Sequence, residues 1–201
     1  MKQAGVSIDY VLYDYPDNAE GRLNKNLRAT IAEYEREKIA QRTYRMRVAK
    51  VKRGNVMVHG ATPYGYRRAE AKGDTLIVTE PKGEERRIEN KDNLPDGRVV
   101  LIVDEHEAEI VRQIFQWYAY TRLNMNQIAE KLNGQGEPTW TGVWRNKPNH
   151  QWTQSTVSHI LDHERYLGKW YYGKDELEIQ IPAIVPEAVF ERVQEKRKGF
   201  R

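Results

Sequence analysis

The chain has 201 residues, 39% of them hydrophobic and 31% charged, which is enough for one large domain or two small ones with a buried core. The absence of cysteine excludes a disulfide scaffold, a zinc site with thiolate ligands and a thiol nucleophile. No apolar run approaches the roughly 20 residues of a membrane span, and no charged-then-apolar leader opens the sequence. These features predict a cytoplasmic protein.

The positive charge is concentrated in one stretch of the chain. Between Lys38 and Ala69 there are nine lysines and arginines and no acidic residue, although the net charge of the whole chain is only +4. A stretch of one sign is typical of a protein with a polyanion partner, and a solvated helix face is the ordinary alternative. Because the acid-free stretch is long, nucleic acid is the favoured interpretation.

The first 54 residues predict one strand and one long helix. A run rich in β-forming residues over 6–13 predicts the strand, and Asp17 with Glu20 predicts a capping box where the helix begins. The helix is expected to stop at Gly54. A helix of about 30 residues is ~45 Å long, so its second half is predicted to be an arm that extends beyond a small domain. One apolar stripe marks its first half: Leu23, Leu27, Ile31 and Tyr34.

The middle of the chain predicts extended structure. Residues 55–68 are typical of an extended connector with a turn at Pro63–Gly65, and strands are predicted at Thr75–Thr79 and Arg98–Val103. The polar segment between the two strands is compatible with a loop or a ragged hairpin.

Beyond residue 103, apolar periodicity and capping residues predict four helices and a hairpin. The helices are expected from Asp104 through Tyr118, and at 125–132, 154–162 and 186–196, with a long loop over 134–151. The hairpin strands are expected at 168–172 and 177–181. The residues expected to face inward are Val111, Ile114, Phe115, Tyr118, Ile128, Ala129, Leu132, Val157, Ile160 and Leu161.

The helix at 154–162 carries polar residues of the types that read DNA grooves: Gln154, Ser155, Ser158, His159 and Asp162. Glutamine can bond adenine, and serine or histidine can reach bases or phosphates. The helices at 125–132 and 154–162 resemble a helix-turn-helix, but about 20 residues separate them where three or four are usual. An ordinary amphipathic helix is equally compatible with this pattern.

Other chemical signals have simpler explanations. His159 and His163 would share a helix face, as paired metal ligands do, but no third ligand is evident, so solvent-facing histidines are favoured. The tryptophans could stack on bases, although core anchoring is the favoured role. None of the three serines lies in a G-x-S-x-G turn, and no glycine-rich phosphate loop is present. The pattern therefore predicts no self-contained active site.

Several separate blocks of the sequence resemble the large serine recombinases. Residues 32–43 (Ala-Glu-Tyr-Glu-Arg-Glu-Lys-Ile-Ala-Gln-Arg-Thr) are similar to the long helix that ends their catalytic domain, and residues 5–13 to its last strand. Further blocks are similar to their "recombinase" DNA-binding domain, at 60–67, 110–118, 128–133 and 152–168. These blocks cover nearly the whole chain in the correct order, so the sequence is identified as a member of this family.

The resemblance implies an α+β fold: the remnant of an α/β catalytic domain with a long helix, then a mainly helical, helix-turn-helix-like DNA-binding domain with small β-hairpins. It assigns 1–54 to the end of the catalytic domain, 55–183 to the DNA-binding domain, and 184–201 to a C-terminal helix and linker toward a zinc-ribbon domain. The family's nucleophilic serine lies in a tyrosine-x-arginine-hydrophobic-serine motif that this sequence does not contain. We therefore expect no catalytic residue and no cleavage by this chain alone.

The implied function is the DNA-binding part of a site-specific recombinase that exchanges strands through a phosphoserine linkage, without metal, cofactor or external energy source. The implied partners are double-stranded DNA at attachment sites and a second copy of the chain through the helix 20–53, with no membrane and no small-molecule substrate. A bacterial or phage origin is implied as well. The alternative is a non-enzymatic DNA-binding regulator that retains the same domain.

The predicted DNA contacts combine the basic stretch, including Arg36 and Arg42 aligned with helix arginines of the family, with the polar helix and the segment after it. They are Arg36, Arg42, Arg45, Arg47, Lys50, Arg53, Tyr64, Tyr66, Arg67, Arg68, Gln154, Ser155, Ser158, His159, Arg165 and Lys169. The sequence departs from the family at Gln41, where glutamate is usual, and at 162–164, where an arginine-asparagine-proline run is common. The insertion between Thr79 and Arg98 is also longer than expected.

Overall fold

The computed structural model describes residues 15–56, 62–145, 147, 150–173 and 177–199. The chain divides into two compact units, Met1–Ala49 and Lys50–Arg201. The fold is mixed α+β, as predicted. In chain order, one helix precedes a small antiparallel sheet and the other helices follow it. The predicted strand at 6–13 lies outside the described residues, and the three-part domain division stays a prediction.

Helix α1 spans Ala19–Lys52 and confirms the predicted long helix. Its start differs by one residue from the prediction, because the side chain of Asn18 is the cap: Asn18 Oδ1 accepts a hydrogen bond from the Gly21 backbone N–H at 2.7 Å. The predicted capping box of Asp17 and Glu20 is therefore wrong. Asparagine is as good an N-cap residue as aspartate, so residue type alone did not separate the two positions.

The end of α1 confirms the predicted stop at Gly54. Gly54 has a φ of +82°, the left-handed conformation that favours glycine. Its N–H donates to Val51 O at 2.6 Å and the Asn55 N–H donates to Lys50 O at 3.1 Å, which is the Schellman pattern. The Arg98 guanidinium lies against this turn, within 2.8 Å of where a Cβ on Gly54 would be.

The sheet has four antiparallel strands in the order β3-β2-β1-β4. The strands are β1 (Tyr66–Lys72), β2 (Thr75–Thr79), β3 (Glu85–Glu89) and β4 (Val99–Val103). The structure confirms β2 and β4, and of the two alternatives for the segment between them it has the hairpin, since β2 pairs with β3. The connector predicted up to residue 68 is wrong in its last part, because β1 occupies the centre of the sheet between β2 and β4.

The core of the sheet is formed by small and branched apolar residues, with Ala69, Ala71, Leu76 and Val78 buried together. The predicted turn before β1 is confirmed, since the Tyr66 N–H donates to Pro63 O at 3.1 Å. Two alanines in a strand that otherwise alternates with charged residues give a weak β signal, which is why the sequence did not reveal β1.

The described residues after β4 form five α-helices, a short 3-10 helix at Glu164–Leu167 and a hairpin. The helices are α2 (Glu105–Tyr120), α3 (Met125–Gly134), α4 (Trp140–Trp144), α5 (Gln154–Asp162) and α6 (Glu187–Lys198), and the hairpin strands are β5 (Lys169–Tyr172) and β6 (Leu177–Gln180). They confirm the predicted helices and hairpin. The long loop predicted over 134–151 is interrupted by α4, a single turn capped by Thr139 Oγ1, which accepts from the Gly142 N–H at 3.0 Å.

Side chains capping α2, α3 and α5 come from Asp104, Asn124 and Thr153, and the last two form full capping boxes. All ten residues predicted to face inward are buried. An aromatic cluster links the sheet to the helices, with Tyr66 stacked on Tyr166 and Phe115 stacked on Phe190. Within the described part of the chain, no helix is both long and apolar enough to cross a membrane.

Candidate nucleic-acid interface

Helix α5 presents one polar face because its other face is packed. Val157, Ile160 and Leu161 are buried, and α5 contacts α2, α3 and α6. On the opposite side Gln154, Ser155 and His159 are exposed and Ser158 is half-buried. The structure therefore brings together four of the predicted DNA contacts on the outer face of one short helix.

The start of α5 is fixed to the end of α3 across the long loop. Asn133 Nδ2 donates to Trp152 O at 3.0 Å, and the Trp152 N–H donates back to Asn133 Oδ1 at 2.8 Å. The Trp152 indole N–H donates to Glu137 O at 2.9 Å, and the Tyr64 ring meets the indole edge-on. These contacts place α3 and α5 side by side, as in a helix-turn-helix, although the connection is long.

The last turn of α5 is bound by a side chain from α6. Arg197 Nη2 lies 2.8 Å from Asp162 Oδ1 and donates to Ser158 Oγ at 3.2 Å. Ser158 is therefore engaged within the protein, unlike the first-turn residues of the same face. The sequence does not single out Arg197, because basic residues in the last turn of a helix are common and its partners are 35 to 39 positions away.

His159 and His163 face each other at the end of α5. His159 Nδ1 and His163 Nε2 are 3.3 Å apart, and the two rings are stacked. Burial, together with the neighbouring Arg165 and His159, lowers the pKa of His163 to about 4. Among the residues that the structure describes, no group of three or more potential ligands could hold a metal ion.

A shallow groove beside the C-terminal end of α5 contains two further predicted contacts, Arg165 and Lys169, together with His163 and Trp170. Both cations are half-buried. The Arg165 guanidinium lies over the Trp170 ring, 5.2 Å from its centroid, and burial lowers the pKa of this guanidinium. Asp162 and Glu164 also line this groove, so it continues the polar face of α5 with charges of both signs.

Six of the predicted cations lie on α1 or directly after it. Arg36, Arg42, Arg45 and Arg47 are exposed in the first unit, and Lys50 and Arg53 are exposed in the second. Their helical spacing distributes these cations along the second half of α1. Exposed guanidinium and ammonium groups can contact a phosphate backbone without reading bases.

Arg67 differs from the prediction, because its guanidinium is in the core and only 5% of the residue is exposed. Glu107 accepts from Arg67 Nη1 and Nη2 at 2.8 Å each, and Asp104 and Glu80 lie within 3.3 Å. Burial opposes the charge of Arg67, but the hydrogen bonds and charges of these carboxylates outweigh it and raise its pKa. The geometry gives Arg67 a structural role instead of the predicted DNA contact.

Tyr64 and Tyr66 are also buried rather than exposed for DNA. The Tyr64 hydroxyl donates to Pro138 O at 3.1 Å, and the Tyr66 hydroxyl donates to Pro182 O at 2.7 Å. Burial raises the pKa of both phenols. Arg68 is half-buried and pairs with Glu70 at 2.7 Å. The aromatic and basic side chains of residues 64–68 thus stabilise the sheet and its junction with the helices.

The profile of the Recombinase family matches residues 105–200. A "Putative DNA recombinase" from Bacillus subtilis (strain 168) is 24% identical over 223 residues, an alignment that covers 97% of this chain and 38% of the relative. The chain thus spans less than half of the length of this curated relative.

Two solved structures are similar at a TM-score of 0.45 each. One, from an "LSR-DNA Complex", is 19% identical, with 77% of this chain and 38% of that chain covered. The other, from work on the Listeria innocua prophage attP site, is 16% identical, with 78% of this chain and 51% of that chain covered. The relationship predicted from the sequence is confirmed at the level of the Recombinase domain: residues 105–200, which carry α2 through α6, match the model of the Recombinase family.

Proposed function

We propose that this chain binds double-stranded DNA as the recognition part of a site-specific serine recombinase. The observation that carries the proposal is the Recombinase-family match over 105–200, the segment that contains α5. The name of the Bacillus subtilis relative, a "Putative DNA recombinase", supports the same function. The exposed polar face of α5 and the exposed cations of α1 supply the two kinds of contact that such binding needs.

In this proposal α5 enters the major groove, which is wide enough to admit an α-helix and presents a distinct donor and acceptor pattern for each base pair. Gln154 and Ser155, in the first turn, contact base edges. Arg165 and Lys169 approach the flanking phosphates from the groove beside α5.

The cations of α1 contact phosphates independently of sequence. Strand exchange through a phosphoserine linkage is assigned to the family and not to a residue of this chain, since none of its three serines, Ser7, Ser155 and Ser158, lies in the nucleophile motif. The chain on its own is therefore proposed to bind DNA without forming a covalent adduct. The apolar stripe of α1 is proposed to mediate self-association.

The test is a salt titration of binding by fluorescence anisotropy. A preferred duplex is first selected from random sequences and is compared with a scrambled duplex of the same length. Phosphate contacts release counterions, so log affinity falls with log salt by ~0.9 per contact, or roughly 4 to 5 if about five cations engage. Binding that is absent, or that does not depend on salt, contradicts the proposal.

Two kinds of variant separate the roles. Arg47→Ala or Arg53→Ala is expected to weaken binding to both duplexes equally and to reduce the slope by about 1. Gln154→Ala is expected to cost about 1–3 kcal/mol on the preferred duplex alone. Lys91→Ala, an exposed cation in the turn after β3, is the matched control and leaves both quantities unchanged.

A further inference from the structure

The polar side chains of α6 bind the ends of two other helices. Arg192 Nε donates to Ala119 O at 3.1 Å, and Lys196 Nζ donates to Tyr118 O at 2.8 Å, both at the C-terminal end of α2. Gln194 Nε2 donates to Leu161 O at 2.6 Å, at the C-terminal end of α5. Carbonyls in the last turn of a helix have no partner within the helix, so α6 supplies hydrogen-bond donors to the carbonyls at these two helix ends.

Arg197 adds a charged contact to the outer face of α5. Its guanidinium reaches Asp162 Oδ1 at 2.8 Å, Ser158 Oγ at 3.2 Å and Ser158 O at 3.4 Å. The Arg197 side chain is 16% exposed, whereas that of Asp162 is 49% exposed. All of these contacts are on α5, so the guanidinium is held by the protein and is largely shielded from solvent.

The charge of this pair matters on a helix that approaches a polyanion. A carboxylate on such a face repels phosphate, and Arg197 neutralises it at hydrogen-bonding distance. The helix that carries Arg197 is anchored in the core, because Val189, Phe190 and Val193 of α6 are buried. The guanidinium therefore fixes the last turn of α5 from a helix that is itself packed in the core.

From this arrangement we infer that Arg197 is a positioning residue for DNA recognition: through Asp162 and Ser158 it sets the pose in which α5 presents Gln154 and Ser155 to base edges. The inference rests on the proposed function for the part that concerns DNA. Helix α6 thereby affects sequence specificity although it does not itself contact DNA.

The first experiment compares Arg197→Ala, Arg197→Lys and Asp162→Asn on the preferred and scrambled duplexes. Arg197→Ala is expected to lower affinity for the preferred duplex roughly tenfold more than for the scrambled duplex, the size of one lost base contact, while the unpaired Asp162 carboxylate weakens binding to both duplexes by the same smaller amount. Arg197→Lys, which can still reach Asp162, is expected to restore part of the preference. Asp162→Asn keeps a hydrogen-bond acceptor and is expected to lose less than Arg197→Ala.

A loss that is equal on both duplexes, with a slope smaller by about 1, would instead make Arg197 a phosphate contact and overturn the inference. An unchanged preference in Arg197→Ala overturns it as well. If Arg197→Ala fails to fold, Arg197→Lys and Asp162→Asn decide: a preference that neither of them lowers overturns the inference.

The second experiment needs no DNA. Amide hydrogen exchange of α5 in the free protein is expected to accelerate in Arg197→Ala, because the last turn is released. Arg112→Ala is the matched control, since Arg112 also pairs with carboxylates, Glu105 and Glu109, but on α2. Unchanged exchange in α5 contradicts the positioning role. If the wild-type chain binds no duplex, the proposed function fails while this measurement still decides whether Arg197 holds α5.

Discussion

Asn133 and Trp152 exchange two hydrogen bonds, one from the Asn133 side-chain amide to the Trp152 carbonyl and one from the Trp152 N–H back to the Asn133 amide oxygen. Backbone groups in a turn are usually bonded to other backbone groups, but here one side chain takes both. These two hydrogen bonds connect the ends of the long segment that contains α4. Helices α3 and α5 therefore remain neighbours despite the residues between them. One side-chain amide thus contributes two of the contacts that hold α3 and α5 next to each other.

Replacing this amide is expected to destabilise the second unit. Asn133→Ala leaves the buried Trp152 backbone without its two partners, which is expected to lower the free energy of unfolding by about 1–3 kcal/mol. Urea denaturation followed by tryptophan fluorescence and circular dichroism measures this. Asn126→Ala, an exposed position on the same helix, is the control. A difference between the two variants below about 0.5 kcal/mol would show that the long connection is held by other contacts.

The buried carboxylate of Glu107 gives a second prediction. Arg67→Met leaves this carboxylate, whose side chain is 4% exposed, without its counter-charge, and is expected to cost about 3–5 kcal/mol of folding stability. Arg67→Met combined with Glu107→Gln removes the charge and is expected to regain part of the loss. Denaturation of the two single variants and the double variant measures the coupling. A stable Arg67→Met protein with a reduced salt slope would instead restore the role of Arg67 as a phosphate contact.

The apolar stripe of α1 gives a third prediction. Leu23, Leu27, Ile31 and Tyr34 are 67%, 55%, 49% and 56% exposed, which is unusual for large apolar residues on one helix face. Sedimentation velocity over a range of concentrations is expected to show self-association, and Leu27→Glu is expected to weaken it. Ala32→Glu introduces the same charge on the opposite side of the helix and serves as control. If both variants sediment like the wild type and as monomers, the stripe does not mediate association.

The pH dependence of stability is expected to reflect His163. Its pKa is about 4 in the folded chain and about 6.5 in an unfolded one, so between these values the unfolded state binds more protons. Stability therefore falls as the pH is lowered through this window. Replacing this imidazole in His163→Gln removes that component, and the change in Tm between about pH 7.5 and about pH 5 is expected to be smaller than in the wild type.

His106→Gln, which removes an imidazole that lies 3.4 Å from Glu137 Oε2, is the comparison variant for this measurement. The nearby Asp162 carboxylate opposes the effect and Arg165 strengthens it. Equal shifts in the wild type and His163→Gln would contradict a lowered pKa of the half-buried His163 imidazole.

Local signals in the sequence were sufficient for most elements of the second unit. The helices α2, α3 and α5 were predicted with their buried faces because capping residues and apolar periodicity act within a few residues. Strand β1 was missed because its pairing with β2 and β4, and not its own composition, makes it a strand. The one-residue error at Asn18 arose where two good capping residues stand side by side.

The candidate site was predictable only in part, for a related reason. The polar face of α5 follows from helical geometry once the helix is known, so Gln154, Ser155 and His159 could be named. The burial of Arg67 could not be predicted, since its partner Glu107 is 40 positions away and a basic residue beside other cations is interpreted as surface charge. The contact of Arg197 with Ser158 likewise spans two helices that only the folded chain brings together.

The outer side chains in the first and last turns of α5 differ in what they contact, and this has a consequence for how the proposed DNA-binding domain would change its target sequence. At Gln154 and Ser155, in the exposed first turn, a new side chain can be accepted without disturbing a buried contact. At Ser158 and Asp162 any replacement has to satisfy the guanidinium of Arg197 as well as the proposed contact with DNA. New target sequences are therefore most accessible through the first turn, and a library randomised there will yield more folded binders than one randomised in the last turn.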